Sequence, residues 1–394
     1  MKICFTSYRP FPDGPVQHPF PESDPANIAY ALGGDYFSFY SLKSLSPREI
    51  KMKLRPYDLV FVALDVEAIN LVWQIIEACE GRAVTYSENH VGDYQRLSPA
   101  GQVTFVKAIR AATINFLYWE KYIPFYRALT SVPVEFLPYP YLLDSVRPQS
   151  MPLSGRPWRA ALPSGLAGNT RNGLATLAVA KELLNTGLIT ELACWLEPNT
   201  FVQDAQAIAH FLFATPFTPP QRAGNFDWRG WLLTNRIDYR SLLKLKDRLR
   251  RQPLVTAPVS STLTIRGVTL YRRHNWPNYV AQLAPARVLI DLNNRETVGR
   301  NALDCAALEI ACVSTNRSDM QARLFPDTTL GDSWDIAGAV TLCERLLKDV
   351  AFYQRVVSYA AEAVQEFAPA PFRRRFERII VDRLPTPPQV DSRC

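Results

Sequence analysis

Residues 286–317 read ARVLIDLNNRETVGRNALDCAALEIACVSTNR. The run Val288, Leu289, Ile290, Asp291, Leu292 leaves no room for a helix before the polar cluster Asn293, Asn294, Arg295, Glu296, so it reads as a buried strand emptying into a loop. From Gly299 onward the apolar residues change to helical spacing, at Leu303, Ala306, Ala307 and Ile310, and a second strand starts near Cys312. In an open parallel sheet, ligands bind beyond the carboxyl ends of the strands, and a helix start presents N–H groups to an anion. Loop 293–298 is therefore the candidate site. Glu296 and Asp304 flank the helix start about two turns apart, where they can touch different parts of one elongated, phosphate-containing ligand.

The same alternation extends in both directions. Upstream, strands are expected at 3–6, 36–40, 58–64, 83–86, 113–118 and 134–138. Helices are expected between them at 27–32, 47–54, 69–79 and 99–112, the last opened by Ser98 and Pro99 and the 69–79 helix closed by Gly81. The turn-rich residues 9–25 form a long loop at the first strand's carboxyl end. A proline-rich, aperiodic stretch spans 139–157, after which the alternation resumes with a strand at 159–162, a polar loop at 163–172, a helix at 173–185, a strand at 191–196 and a helix at 201–213. Residues 215–230 read as loop, 231–237 are ambiguous, and 239–251 read as a basic helix. Strands near 254–257 and 268–271 and a helix at 276–283 lead into the opening stretch, and helices at 335–347, 349–367 and beyond close the chain. The fold class is α/β: two doubly wound Rossmann-like domains, 1–145 and 158–367, joined by a linker at 146–157 and facing each other across a cleft.

Composition narrows the function classes. The chain has 394 residues, 47% of them hydrophobic and 21% charged, which suits two cores rather than one. Its formal charge of +7 suggests an anionic ligand and does not call for nucleic acid as a partner. The 7 cysteines include no Cys-x-x-Cys pair and sit mostly in apolar stretches, as buried thiols of a reducing compartment do; with no apolar run near the ~20 residues of a membrane span, the expected location is cytoplasmic. Asp-x-Asp, His-Glu-x-x-His and phosphate-loop Gly-Lys-Ser/Thr motifs are all missing, so no metal is expected. The basic helix at 240–251 reads as an amphipathic surface element or, alternatively, as a contact with a membrane surface.

This layout resembles the GT-B glycosyltransferases, and among them most closely family 4, whose retaining members carry two carboxylates at the spacing of Glu296 and Asp304, with a glycine where Gly299 stands. Residues 134–144, VEFLPYPYLLD, are similar to that family's passage into its linker, and 368–394 match a last helix that crosses back to the first domain. The resemblance implies transfer of a sugar from a nucleotide-diphosphate donor such as a UDP-sugar to an acceptor hydroxyl, with retention and with neither metal nor cofactor. It casts Glu296 against the donor sugar, Asp304 against the ribose, and the backbone around Gly299, Arg300 and Asn301 against the diphosphate. Arg171, beside Ser164 in the first loop of the second domain, is the expected diphosphate cation; the family usually places an Arg and a Lys there. His90 is cast as an active-centre residue on the acceptor side and His274 as a contact to the base; as bare residues, the first is equally a polar loop residue and the second part of a solvated basic loop. The acceptor class, whether glycan, protein, lipid or small molecule, is left open. An alternative is a catalytically degenerate GT-B module acting as a binding or accessory protein, which the shortage of cations would suit. Nucleotide-sugar epimerases share the architecture, but the 4 histidines form no acid–base cluster in the sequence.

Overall fold

The computed structural model describes residues 1–19, 24–87, 91–163, 172–198, 201–213, 262–272 and 275–383. They build two seven-stranded sheets flanked by helices, the GT-B arrangement. The first sheet comprises β1 (Ile3–Ser7), β2 (Gly14–Pro15), β3 (Asp35–Ser38), β4 (Leu59–Leu64), β5 (Ala83–Ser87), β6 (Asn115–Leu117) and β7 (Val134–Phe136), in the order β2-β3-β1-β4-β5-β6-β7. Every pairing is parallel except that of the short edge strand β2 with β3. Helices cover both faces, so the central strand β4, LVFVAL, is buried at every position, which is why it reads as an unbroken apolar run.

The second sheet repeats the plan with β8 (Arg159–Leu162), β9 (Glu191–Leu196), β10 (Thr262–Ile265), β11 (Val268–Arg272), β12 (Val288–Asp291), β13 (Ala311–Thr315) and β14 (Thr329–Leu330), in the order β10-β11-β9-β8-β12-β13-β14. Only β10 runs antiparallel. Its half-exposed TLTI joins β11 through the left-handed pair Arg266 and Gly267, a hairpin that the sequence reading passed over. From β8 the chain moves outward to β9 and β11, then returns to place β12 on the other side of β8. The switch point of the sheet thus lies between β8 and β12, and the loop after β12 opens onto it.

Several local expectations hold to the residue, among them the Gly173–Asn185 helix, the Phe201–Phe213 helix and β9. Ser98 caps the Pro99–Ala111 helix by accepting from Gly101 N at 3.2 Å. Residues 36–40 depart from a single strand: β3 stops at Ser38, whose hydroxyl accepts from the Tyr40 amide and starts a short helix, Phe39–Lys43. Asp65 accepts from Glu67 N and Ala68 N in the turn that precedes the Ile69–Ala78 helix. The expected loop at 215–230, the ambiguous 231–237, the basic helix at 239–251 and the strand at 254–257 lie outside the described residues.

Two apolar cores follow the two sheets. The first runs up to Leu137, and Tyr141, Leu143 and Val146 already belong to the second. The change of core therefore precedes most of the proline-rich stretch, whose 3-10 turns Arg147–Gln149 and Leu153–Gly155 lie against the second domain. The last helix, Pro369–Arg383, goes the other way: Phe372, Phe376 and Ile380 are buried in the first core, with the Phe376 ring 5.4 Å from that of Phe61. Among the described residues no helix is long and apolar enough to cross a membrane.

Candidate functional site

The loop that leaves β12 is held from beneath. The Asp291 carboxylate accepts from Asn301 Nδ2 at 2.9 Å and from Asn293 Nδ2 at 3.4 Å, and the Thr315 hydroxyl donates to the Asn293 carbonyl at 2.7 Å. Further along, Thr297 pairs in parallel with Ser318: Thr297 N donates to the Arg317 carbonyl at 2.9 Å, and Asp319 N to the Thr297 carbonyl at 3.0 Å. These bonds hold the loop like an extra strand, fixing where Glu296 emerges.

Gly299 is required where it stands. Its φ of +88° lies in the left-handed region, and a Cβ there would meet the Ser318 hydroxyl oxygen at 1.9 Å. The helix Arg300–Leu308 starts on it with no side-chain cap, so the positive end of the helix dipole opens at the mouth of the loop. Arg300 lies over the Trp276 ring at 4.8 Å, and Asn301, besides holding Asp291, accepts from the Tyr279 hydroxyl at 3.3 Å.

Glu296 faces the other domain. One oxygen accepts from the Tyr122 hydroxyl and lies 3.3 Å from Lys121 Nζ, both residues following β6 of the first sheet; the other lies 3.6 Å from Arg317. Burial, and then the bonded carboxylate, push the Tyr122 hydroxyl well above the ordinary tyrosine range, so it stays protonated and donates. Two further ion pairs tie the same surfaces together, Arg295 to Asp93 at 3.3 Å and Arg323 to Glu120. Val298 packs against both cores. The domains close on each other at this point.

Asp304 is placed differently. Only 1% exposed, it accepts from the Tyr141 hydroxyl at 2.7 Å and from the Trp276 indole at 3.0 Å, and the two rings meet edge to face. Burial and the carboxylate raise the Tyr141 hydroxyl far above its usual range. In this arrangement the Asp304 carboxylate serves its own fold, and reaching a ligand requires Trp276 or Tyr141 to move. Glu296, Gly299, Arg300, Asn301 and Asp304 are brought together along one loop and helix. His90, Ser164, Arg171 and His274 lie outside the described residues.

Residues the sequence reading did not single out are Lys121, Tyr122 and Arg317, which surround Glu296, and Tyr141 and Trp276, which hold Asp304. A signal existed for the first two: Trp119, Glu120, Lys121 and Tyr122 form a polar-aromatic cluster at the carboxyl end of a buried strand, the criterion that had selected Glu296.

No family model matches the sequence, and no curated protein matches it. Solved structures do match in fold. A trehalose-6-phosphate synthase, OtsA, superposes with a TM-score of 0.62 at 11% identity, covering 98% of this chain and 100% of that one. The likeness is one of fold. An α,α-trehalose-phosphate synthase (UDP-forming) from Burkholderia xenovorans, in complex with glucose-6-phosphate, gives a TM-score of 0.59 at 10% identity, covering 96% of this chain and 99% of that one. A trehalose 6-phosphate synthase from Burkholderia multivorans gives 0.57 at 14% identity over 90% of this chain and 79% of that one. Identities this low carry architecture and leave family 4 without specific support, since these neighbours are trehalose-phosphate synthases.

Proposed function

We propose that this chain is a retaining glycosyltransferase that moves a sugar from a nucleoside-diphosphate sugar, a UDP-sugar foremost, to the hydroxyl of a small sugar or sugar phosphate. The observation that carries the reading is Glu296: a carboxylate at the switch point of the second sheet, at a helix start, facing Lys121 and Tyr122 across the cleft. A donor laid there meets complementary groups along its length. Its diphosphate takes the Arg300 helix start, with Arg317 and Lys121 as the nearby cations, and its sugar hydroxyls donate to Glu296. Admitting the donor means exchanging the Tyr122 and Lys121 bonds to Glu296 for bonds to the sugar, so cleft opening belongs to the cycle. With retention, the acceptor hydroxyl attacks from the face the diphosphate leaves, and stabilising the departing charge is the protein's main task. The fold neighbours support this choice of donor and acceptor through the UDP-forming reaction and the glucose-6-phosphate complex named for them. The six described cysteines, free and buried, suit the cytoplasm.

A second reading, a binding or accessory module, has its own observation: both carboxylates, Glu296 and Asp304, are already engaged by the protein's own donors. Thermal-shift measurements with UDP, GDP and ADP, followed by a nucleotide-sugar hydrolysis screen, separate the two. The transferase reading expects stabilisation by one nucleotide, release of that nucleotide from its sugar, and loss of the release in Glu296→Gln with unchanged melting. Wild-type turnover in that variant refutes the assignment of Glu296, and stabilisation without turnover supports the accessory module.

A further inference from the structure

Apart from the Glu296 site, though bordered by the Glu120–Arg323 contact between the domains, the edge strand β7, the Ile123–Leu129 helix and the last helix enclose a groove of about 590 Å³. Four arginines line it: Arg127, Arg375, Arg378 and Arg383. Of the acids in the same lining, Glu135 is taken by Arg383 at 2.6 Å and Glu120 by Arg323 from the second domain, while Asp382 is exposed at the end of the helix. The remaining guanidiniums are poorly matched. Arg375 has Glu366 at 3.8 Å, a side chain 72% exposed; Arg127 donates to the Val134 carbonyl at 3.3 Å; and Arg378 has no carboxylate within ion-pair distance among the described residues.

Arg375 is half-buried, and Arg323 and Arg375 both lie over the Phe136 ring, at 4.6 and 5.5 Å. Burial lowers the Arg375 pKa; Glu366 and, less, Glu120 raise it in part, and the neighbouring Arg378 and Arg323 lower it, so like charges lie close together at this spot. Guanidiniums gathered over an apolar floor, with too few carboxylates between them, gain most from a compact, multiply charged anion that accepts two-pronged hydrogen bonds. The groove's volume falls within the roughly 300–1,000 Å³ of small-molecule sites, and its concavity suits a soluble ligand more than a membrane plane.

We propose that this groove binds a small phosphate-bearing molecule through Arg127, Arg375 and Arg378, at a site separate from the interdomain cleft. The assignment stands on the groove alone and is independent of any transferase activity. Isothermal titration calorimetry of the full chain with pyrophosphate and with inorganic phosphate, at fixed ionic strength, tests it. Wild type binds pyrophosphate, and the Arg375→Gln/Arg378→Gln variant binds about tenfold or more weakly, the loss expected for charge-assisted bonds to phosphate. Arg127→Gln, on a different helix and exposed, gives a loss in the same direction and guards against misfolding of the last helix in the double variant, which circular dichroism checks directly. In a cleft variant, Arg300→Gln/Arg317→Gln, which removes the donor site's own cations for a diphosphate, the groove still binds pyrophosphate, and that remaining binding is lost when the groove substitutions are added. Absence of pyrophosphate binding to the wild type, undiminished binding in the groove variants, or loss confined to the cleft variant overturns the proposal. So does co-sedimentation with phosphatidylglycerol vesicles that the groove substitutions abolish, because that outcome assigns the arginines to a lipid headgroup.

Discussion

Substituting Gly299 by alanine tests how the candidate site is built. The backbone there sits at φ +88° and ψ +48°, and the added Cβ would stand 1.9 Å from the Ser318 hydroxyl oxygen. Holding an alanine in the left-handed region costs about 1–2 kcal/mol. The clash adds to this, because Ser318 cannot simply rotate away: its hydroxyl accepts from Gln321 N and caps the Asp319–Leu324 helix, a bond worth about 1 kcal/mol. The sum is a loss of about 2–3 kcal/mol, or a fall of about 1 M in the urea midpoint of the second domain, followed by circular dichroism. The two contributions can be separated. Removing the obstacle in Gly299→Ala/Ser318→Gly leaves the backbone strain and recovers about 1 kcal/mol, since glycine at a cap costs only a few tenths relative to serine. A loss below about 0.5 kcal/mol in the single variant, or no recovery in the double one, refutes the close approach of this loop to residues 317–320.

Asp304 and the buried tyrosines give further expectations. Asp304→Ala leaves the buried Tyr141 hydroxyl and the part-buried Trp276 indole without their acceptor and costs about 3 kcal/mol, whereas Asp304→Asn keeps an oxygen for them and costs about 1 kcal/mol; equal melting temperatures for the two variants contradict the bonding pattern. Tyr122, Tyr141 and Tyr94 all have folded-state pKa values raised above the usual 10, mainly by burial, and Tyr126 is pushed to about 12. A folded pKa above the unfolded one means that the associated stability is whole below about pH 10 and is lost as the pH rises through the folded value. The share of tyrosinate absorbance that belongs to these buried tyrosines should therefore rise together with unfolding on alkaline titration, and full tyrosinate absorbance in a still-folded chain would count against the burial.

The sequence made the sheets readable wherever strands are buried on both faces, as in β4, β9 and β12, because such strands announce themselves as apolar runs. It was harder to read at β10, a short edge strand whose TLTI has strand composition but is half-exposed and forms no apolar run. The loop of Glu296 was legible for the same reason as its strand: polarity follows the apolar run directly. What lies across from it was not, since Tyr122 and Glu296 are 174 residues apart and only the closing of the domains makes them neighbours. Asp304 shows the opposite limit. Its spacing from Glu296 suggested a ligand contact, but spacing along a helix says nothing of Tyr141 and Trp276, which arrive from other segments to cover it.

The return of the last helix to the first core bears on the order in which the chain can fold. Phe376 packs tilted against Phe61 and Phe116, residues made long before it, so the first domain leaves the ribosome with a gap in its core that stays unfilled until the last helix has emerged. Among the described residues, the core of the second domain runs from Tyr141 to Phe367, so it can consolidate while the first waits. Synthesis thus runs from amino to carboxyl end, but completion runs the other way, and the exposed aromatic surface of the waiting domain is where a chaperone would be needed.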